Sequence, residues 1–228
     1  MRRIGLVGGL GPEATVDYYR MIINKCRSEA GGKVPEIIVY SLDLKDFPRL
    51  EERHEIVQWL GGAINALHRA GADFAVITAN TPHMVFDELV ALSPVPLISI
   101  VEETCRVVHA MDLKKVGLLG TKVTMSSDFY QRVFSARDIS ISVPTEQEQD
   151  YINDKLVSEI MYNRIIENTR QGLLAIIKRL IANHRIEALI LGCTELPLIL
   201  TSDAFGIPFL NTTKIHAESV VRFCLTGK

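Results

Sequence analysis

The stretch Leu189-Ile190-Leu191-Gly192-Cys193-Thr194-Glu195 runs from an apolar segment into a small residue, a thiol, a hydroxyl and a carboxylate. Phe74-Ala75-Val76-Ile77-Thr78-Ala79-Asn80-Thr81 has the same shape. Each reads as a buried strand that ends in groups able to move a proton. The expectation is that the two ends face each other across a cleft. Cys193 then stands on one side and Thr78 on the other, with a substrate carbon between them. A thiol is a base only as its thiolate, and its ordinary pKa is about 8.5. Backbone N–H groups at the start of a short helix over 194–198 are expected to lower that value. The other cysteines, Cys26, Cys105 and Cys224, sit in apolar helical patterns and read as core.

Further candidates follow other strands. Ala79, Asn80 and Thr81 are placed to meet a carboxylate, although Asn and Thr also cap helices. Leu10 and Gly11 lie in the turn Gly8-Gly9-Leu10-Gly11-Pro12, whose backbone N–H groups could meet an anion. That turn lacks the third glycine of a dinucleotide fingerprint. Thr121 and Thr124 are candidate hydroxyl ligands, with capping as the alternative. Thr194 and Glu195 complete the polar group around Cys193. Arg49 and Arg164 lie in segments expected to cover the cleft, where a guanidinium fork could hold a carboxylate. A solvated surface charge is the alternative for each. His83, His109 and His216 show no metal-ligand spacing, so no metal is expected, and His83 reads as a support behind the cleft. No nucleophile elbow or P-loop is present.

These groups need elements to carry them, and 228 residues suffice for one large or two small domains with a real core. Apolar residues make up 47% and the net charge is -2, without acidic or basic blocks, so neither nucleic acid nor a membrane surface is an expected partner. No apolar run approaches the roughly 20 residues that span a bilayer. The unpaired cysteine spacing suits reduced thiols in the cytoplasm. Strands read at 3–9, 36–42, 74–77 and 96–100, alternating with helices at 13–27, 55–70 and 83–92. In the first helix Val16, Tyr19, Ile22 and Ile23 form the apolar side. The pattern then repeats. Lys115-Val116-Gly117-Leu118-Leu119-Gly120 matches Arg3-Ile4-Gly5-Leu6-Val7-Gly8, Asp128-Phe129-Tyr130 matches Asp17-Tyr18-Tyr19, and Pro208-Phe209-Leu210 matches Pro96-Leu97-Ile98. With nearly the same offset, Thr78 falls on Cys193. The expected fold is α/β: two similar flavodoxin-like lobes with parallel sheets, related by internal pseudo-symmetry, with the active site in the interlobe cleft. The lobes are expected at 1–97 plus 211–228 and at 98–210, with a cap helix within 146–170.

The motifs Gly8-Gly9-Leu10-Gly11-Pro12, Ala79-Asn80-Thr81-Pro82-His83, Gly120-Thr121-Lys122-Val123-Thr124-Met125 and Gly192-Cys193-Thr194-Glu195, in this order, resemble the aspartate/glutamate/hydantoin racemase superfamily, closest to its aspartate racemase branch. The resemblance implies racemisation of a small dicarboxylic amino acid without pyridoxal phosphate, metal or other cofactor. It implies two cysteines, one on each face of the α-carbon, of which the second acts on the L-enantiomer. Thr78 is read as replacing the first, so that the L-enantiomer is favoured in rate. Glu195, where glutamate racemases carry histidine, resembles the aspartate enzymes. Relatives are often dimers, and composition neither supports nor excludes a homodimer here. Two alternatives stay open: a non-catalytic protein that binds acidic amino acids, and a single-cysteine decarboxylase of the same superfamily.

Overall fold

The computed structural model describes residues 1–49 and 52–227. The chain divides into two compact units, Met1–Glu103 with Thr213–Lys228, and Thr104–Thr212. Each contains a four-stranded parallel sheet with helices on its faces.

In the first unit the sheet order is β2-β1-β3-β4, from strands β1 (Ile4–Gly8), β2 (Ile37–Ser41), β3 (Phe74–Ile77) and β4 (Leu97–Ile98). β1 and β3 are buried along their whole length, as continuous apolar runs in a parallel sheet must be. Helix α1 (Pro12–Glu29) opens on proline, whose missing N–H costs nothing in the first turn. Its buried residues are Ala14, Thr15, Tyr18, Ile22 and Cys26, so the expected apolar side is corrected: Val16 and Tyr19 face outward. The 14-18-22-26 row wins because Tyr18 finds a partner for its hydroxyl in the core, described below. Helix α2 (Arg53–Arg69) buries Ile56, Leu60, Ile64 and Leu67 against Val7, Ala75 and Ile77 on one face of the sheet. It ends at Gly71, which takes the left-handed φ of 95° that a side chain disfavours. The expected helix 83–92 is split into a 3-10 turn, Thr81–Val85, and helix α3 (Phe86–Leu92), with Pro82 setting the start of the turn.

The second unit repeats the arrangement. Its order is β6-β5-β7-β8, from β5 (Lys115–Gly120), β6 (Ser140–Ser142), β7 (Ala188–Gly192) and β8 (Phe209–Asn211). Helix α4 (Ile100–Ala110) contains the first division between units, which therefore falls a turn beyond β4. Helices α5 (Lys122–Ser126), α6 (Phe129–Ser135), α7 (Glu146–Ser158), α8 (Glu167–His184) and α9 (Leu196–Ile199) follow. The segment read as a cap forms α7 and the start of α8, and their Ile152, Leu156, Leu173 and Ile177 pack with Leu119, Leu189 and Leu191. The last helix, α10 (Thr212–Thr226), places Val220 and Val221 beside Ile4, Leu6, Phe74 and Val76 on the other face of the first sheet. Among the described residues no helix is long and apolar enough to cross a membrane.

Candidate active site

Glycine ends both central strands, and in each unit a threonine occupies the space that this leaves. A Cβ on Gly8 would come within 2.5 Å of Thr15 Cγ2, and one on Gly120 within 3.0 Å of Thr124 Cγ2. In the first unit Thr15 Oγ1 accepts the Gly9 N–H at 2.9 Å, and that amide is therefore turned to Thr15 rather than to a ligand. Thr15 is a site-shaping residue that the sequence reading missed. Thr15 follows Gly8 by seven residues and Thr124 follows Gly120 by four, so no common spacing in the sequence signalled the role. Leu10 is buried and Gly11, at φ 125°, leads into α1.

In the second unit Cys193 and Glu195 are both 6% exposed at the carboxyl end of β7. The Cys193 thiol donates to Glu195 Oε2 at 3.0 Å, and Thr194 Oγ1 donates to the same oxygen at 2.8 Å. Burial pushes the Cys193 thiol well above its ordinary pKa, and the Glu195 charge and hydrogen bond push the same way. The backbone N–H groups of Glu195 and Thr194 pull it down but do not prevail. The expected lowering is thus corrected: the four-residue α9 cannot offset a buried carboxylate at hydrogen-bond distance. Cys193 rests as a thiol whose proton is already aimed at a base. Thr121 caps α5 by accepting the Thr124 N–H, and its hydroxyl lies 3.0 Å from that of Thr124, which is fully buried. Capping is therefore what the structure assigns to Thr121.

Thr78 is fully buried, and its hydroxyl donates to the Val7 carbonyl at 3.2 Å with Thr15 Oγ1 3.4 Å away. It points into the first unit's interior. The strand registers also correct the repeat alignment. Val7 pairs with Ile77 and its counterpart Leu119 with Leu191. Matching Ile77 to Leu191 sets Thr78 on Gly192 and Ala79 on Cys193. The other side of each sheet agrees: Ala75 N–H donates to the Pro96 carbonyl at 3.0 Å, and Leu189 N–H to the Pro208 carbonyl at 3.0 Å. The residue equivalent to Cys193 is Ala79, a buried methyl with no acid–base chemistry.

Asn80 is buried and Thr81 partly exposed directly after Ala79. Behind them lies a histidine pair. A carbonyl can only accept, so the 3.0 Å contact of His83 Nδ1 with the Ala79 carbonyl puts the proton on Nδ1. Nε2 then accepts the Ile100 N–H at 3.2 Å. By the same logic His216 donates from Nε2 to the Ile98 carbonyl at 3.0 Å and accepts the Tyr18 hydroxyl at Nδ1, 2.8 Å away. Burial lowers both imidazoles, His83 to about 3, with the charge of His216 adding to the effect, and His216 to about 4. Both are neutral single tautomers at neutral pH. Arg49 and Arg164 are exposed. The Arg164 charge acts on Glu159, whose carboxyl is held low chiefly by Lys155. Among the described residues, no hydrogen bond or ion pair joins either arginine to the strand-end residues.

The family described as Asp/Glu/Hydantoin racemase matches residues 7–220. The chain is 26% identical to the broad-specificity amino-acid racemase RacX of Bacillus subtilis, over 96% of each chain. A solved aspartate racemase homologue from Pyrococcus horikoshii is 31% identical, with a TM-score of 0.84 over 99% of this chain and 100% of that one. The aspartate racemase of Picrophilus torridus, 24% identical, shares the fold with a TM-score of 0.79 over 98% and 94% of the two chains.

Proposed function

The chain belongs to the Asp/Glu/hydantoin racemase family, and on that premise we propose that it is a cofactor-independent racemase of aspartate or glutamate, with Cys193 exchanging the α-proton and the L-enantiomer turned over faster. The carrying observation is the Cys193–Glu195 hydrogen bond at the end of β7, set against Ala79 at the equivalent place in the first unit. The proton passes from Cys193 to Glu195, and the thiolate so formed takes the α-proton. That internal transfer leaves the net charge of the pair unchanged, so no second charge has to be buried. Glu195 is therefore assigned to activating Cys193 rather than to binding substrate. Asn80 and Thr81 receive a substrate carboxylate through their backbone and side-chain donors. Ala79, the first-unit equivalent of Cys193, carries no ionisable group, and the Thr78 hydroxyl is turned into the first unit, so this reading assigns a single thiol to the reaction. Water protonates the carbanion on the other face, and the hydroxide left behind takes the proton held by Glu195, which restores the thiol–carboxylate pair; this makes the enzyme one-sided in rate while its equilibrium stays symmetric.

The test is α-proton exchange in deuterated water with both enantiomers of both amino acids. Faster exchange from the L-enantiomers supports the reading, and equal rates from L and D refute the bias. A second reading is favoured by the resting protonation of Cys193: a thiol that holds its proton is first a proton donor. A single-cysteine decarboxylase needs one such donor to quench a carbanion. Carbon dioxide release from a substituted malonate, without α-exchange of aspartate or glutamate, would select it.

A further inference from the structure

His83 holds two consecutive carbonyls of the loop after β3. Its Nδ1–H donates to Ala79 and its backbone N–H donates to Asn80 at 2.9 Å. In a trans peptide the carbonyl of one residue and the N–H of the next point in opposite directions. Among the described residues every peptide bond is trans. Once the carbonyls of Ala79 and Asn80 are drawn toward His83, the N–H groups of Asn80 and Thr81 must face away from it, side by side. The imidazole is anchored at its far end by the Ile100 N–H and is stacked on Phe86, with ring centroids 4.8 Å apart and planes 11° from parallel. It therefore cannot tilt without breaking a buried hydrogen bond.

We infer that His83 is a positioning residue that sets the paired Asn80 and Thr81 amides for the substrate carboxylate. This rests on the proposed carboxylate binding by those two residues. The imidazole touches no reacting atom and acts only through the Ala79 carbonyl. Two substitutions separate its two hydrogen bonds. In His83→Asn the amide nitrogen occupies the place of Nδ1, so the Ala79 bond is kept and the Ile100 bond is lost. In His83→Gln the longer side chain reaches the Ile100 N–H with its oxygen, and the Ala79 bond is lost. A merely structural histidine would be served equally well or badly by either.

The experiment measures the Kd of L-aspartate by calorimetry, kcat by α-deuterium exchange, and the backbone amide resonances of Asn80 and Thr81 by NMR. For His83→Gln the expected result is a Kd weakened about tenfold, the scale of one charge-assisted hydrogen bond, with kcat changed less than threefold and both amide resonances displaced. His83→Asn, which keeps the Ala79 bond but loses the Ile100 anchor, should fall between the wild type and His83→Gln in Kd and in the displacement of both amides. Equal losses in the two variants, or unmoved amides in His83→Gln, overturn the assignment. If either variant does not fold, the other is compared with the wild type against the same expectations. A wild type that neither binds nor exchanges L-aspartate or L-glutamate counts against the proposed function. The amide resonances, which need no ligand, still decide the role of His83.

Discussion

Acid should unfold the first unit through His83 and His216. Both are fully enclosed, neutral and hydrogen-bonded at both ring nitrogens, and both have folded pKa values, about 3 and about 4, far below the ordinary 6.5. A group lowered on folding is protonated first in the unfolded chain. Stability is therefore whole above pH 6.5 and declines as the pH falls from there toward the folded values. Between pH 7 and pH 5 each histidine costs about 2 kcal/mol, on the order of 4 kcal/mol together. That is a large share of an ordinary stability of about 5–15 kcal/mol. Asp73, held low mainly by the Arg3 backbone N–H, loses its contribution only below its ordinary 3.8 and leaves this window clear. Trp59 is the only tryptophan in the sequence, and it packs against Phe47 in the same unit with ring centroids 5.5 Å apart. Urea unfolding followed by its fluorescence therefore reports on the unit concerned. The expected result is a drop of about 4 kcal/mol from pH 7 to pH 5 at constant m-value. In His216→Gln, whose amide nitrogen can still donate to the Ile98 carbonyl, the drop should be halved. A wild-type drop below about 1 kcal/mol, or the same drop in His216→Gln, would refute the reasoning.

Three further outcomes are expected. Ala79→Cys should raise deuterium exchange from the D-enantiomers, while Thr78→Cys, buried behind Val7 and Thr15, should not; the same exchange assay distinguishes them. Glu195→Gln should move two readouts in opposite directions: iodoacetamide labelling of Cys193 at pH 8 speeds up, because a carboxylate that raised its pKa is gone, while α-exchange slows by roughly 10–100-fold for want of the proton acceptor. Gly9→Ala should destabilise the first unit by about 1–3 kcal/mol, since a Cβ there would lie 1.9 Å from the Leu42 carbonyl at a φ of 83°; a urea midpoint unchanged from wild type would count against that.

The architecture was legible because glycine and proline punctuate alternating strand and helix patterns, and because the first strand of each half carries the same Gly spacing. Two parallel four-stranded sheets follow from that alternation. The alignment of the halves was not legible to the residue. From Ile4 to its partner Phe74 is 70 positions, but from Val116 to Ala188 is 72, so the offset taken from the first strands drifts before the third. Only the hydrogen-bonded registers show that Ala79, and not Thr78, answers Cys193. The protonation of Cys193 was hidden for a different reason. Sequence shows that Glu195 is two residues away, but not that its carboxylate turns back onto the sulfur. The face of α1 was misread because Tyr18 and Tyr19 are equally apolar on paper, and the choice is made by His216 at the far end of the chain.

The bond from Cys193 to Glu195 has a consequence for durability. Peroxides and disulfides react with thiolates, and a sulfur kept protonated in a nearly closed setting offers them little to attack. The arrangement that makes residue 193 wait for a neighbouring acceptor before it can work also shelters it between turnovers, so oxidative stress should spare this sulfur for longer than it would spare a standing thiolate.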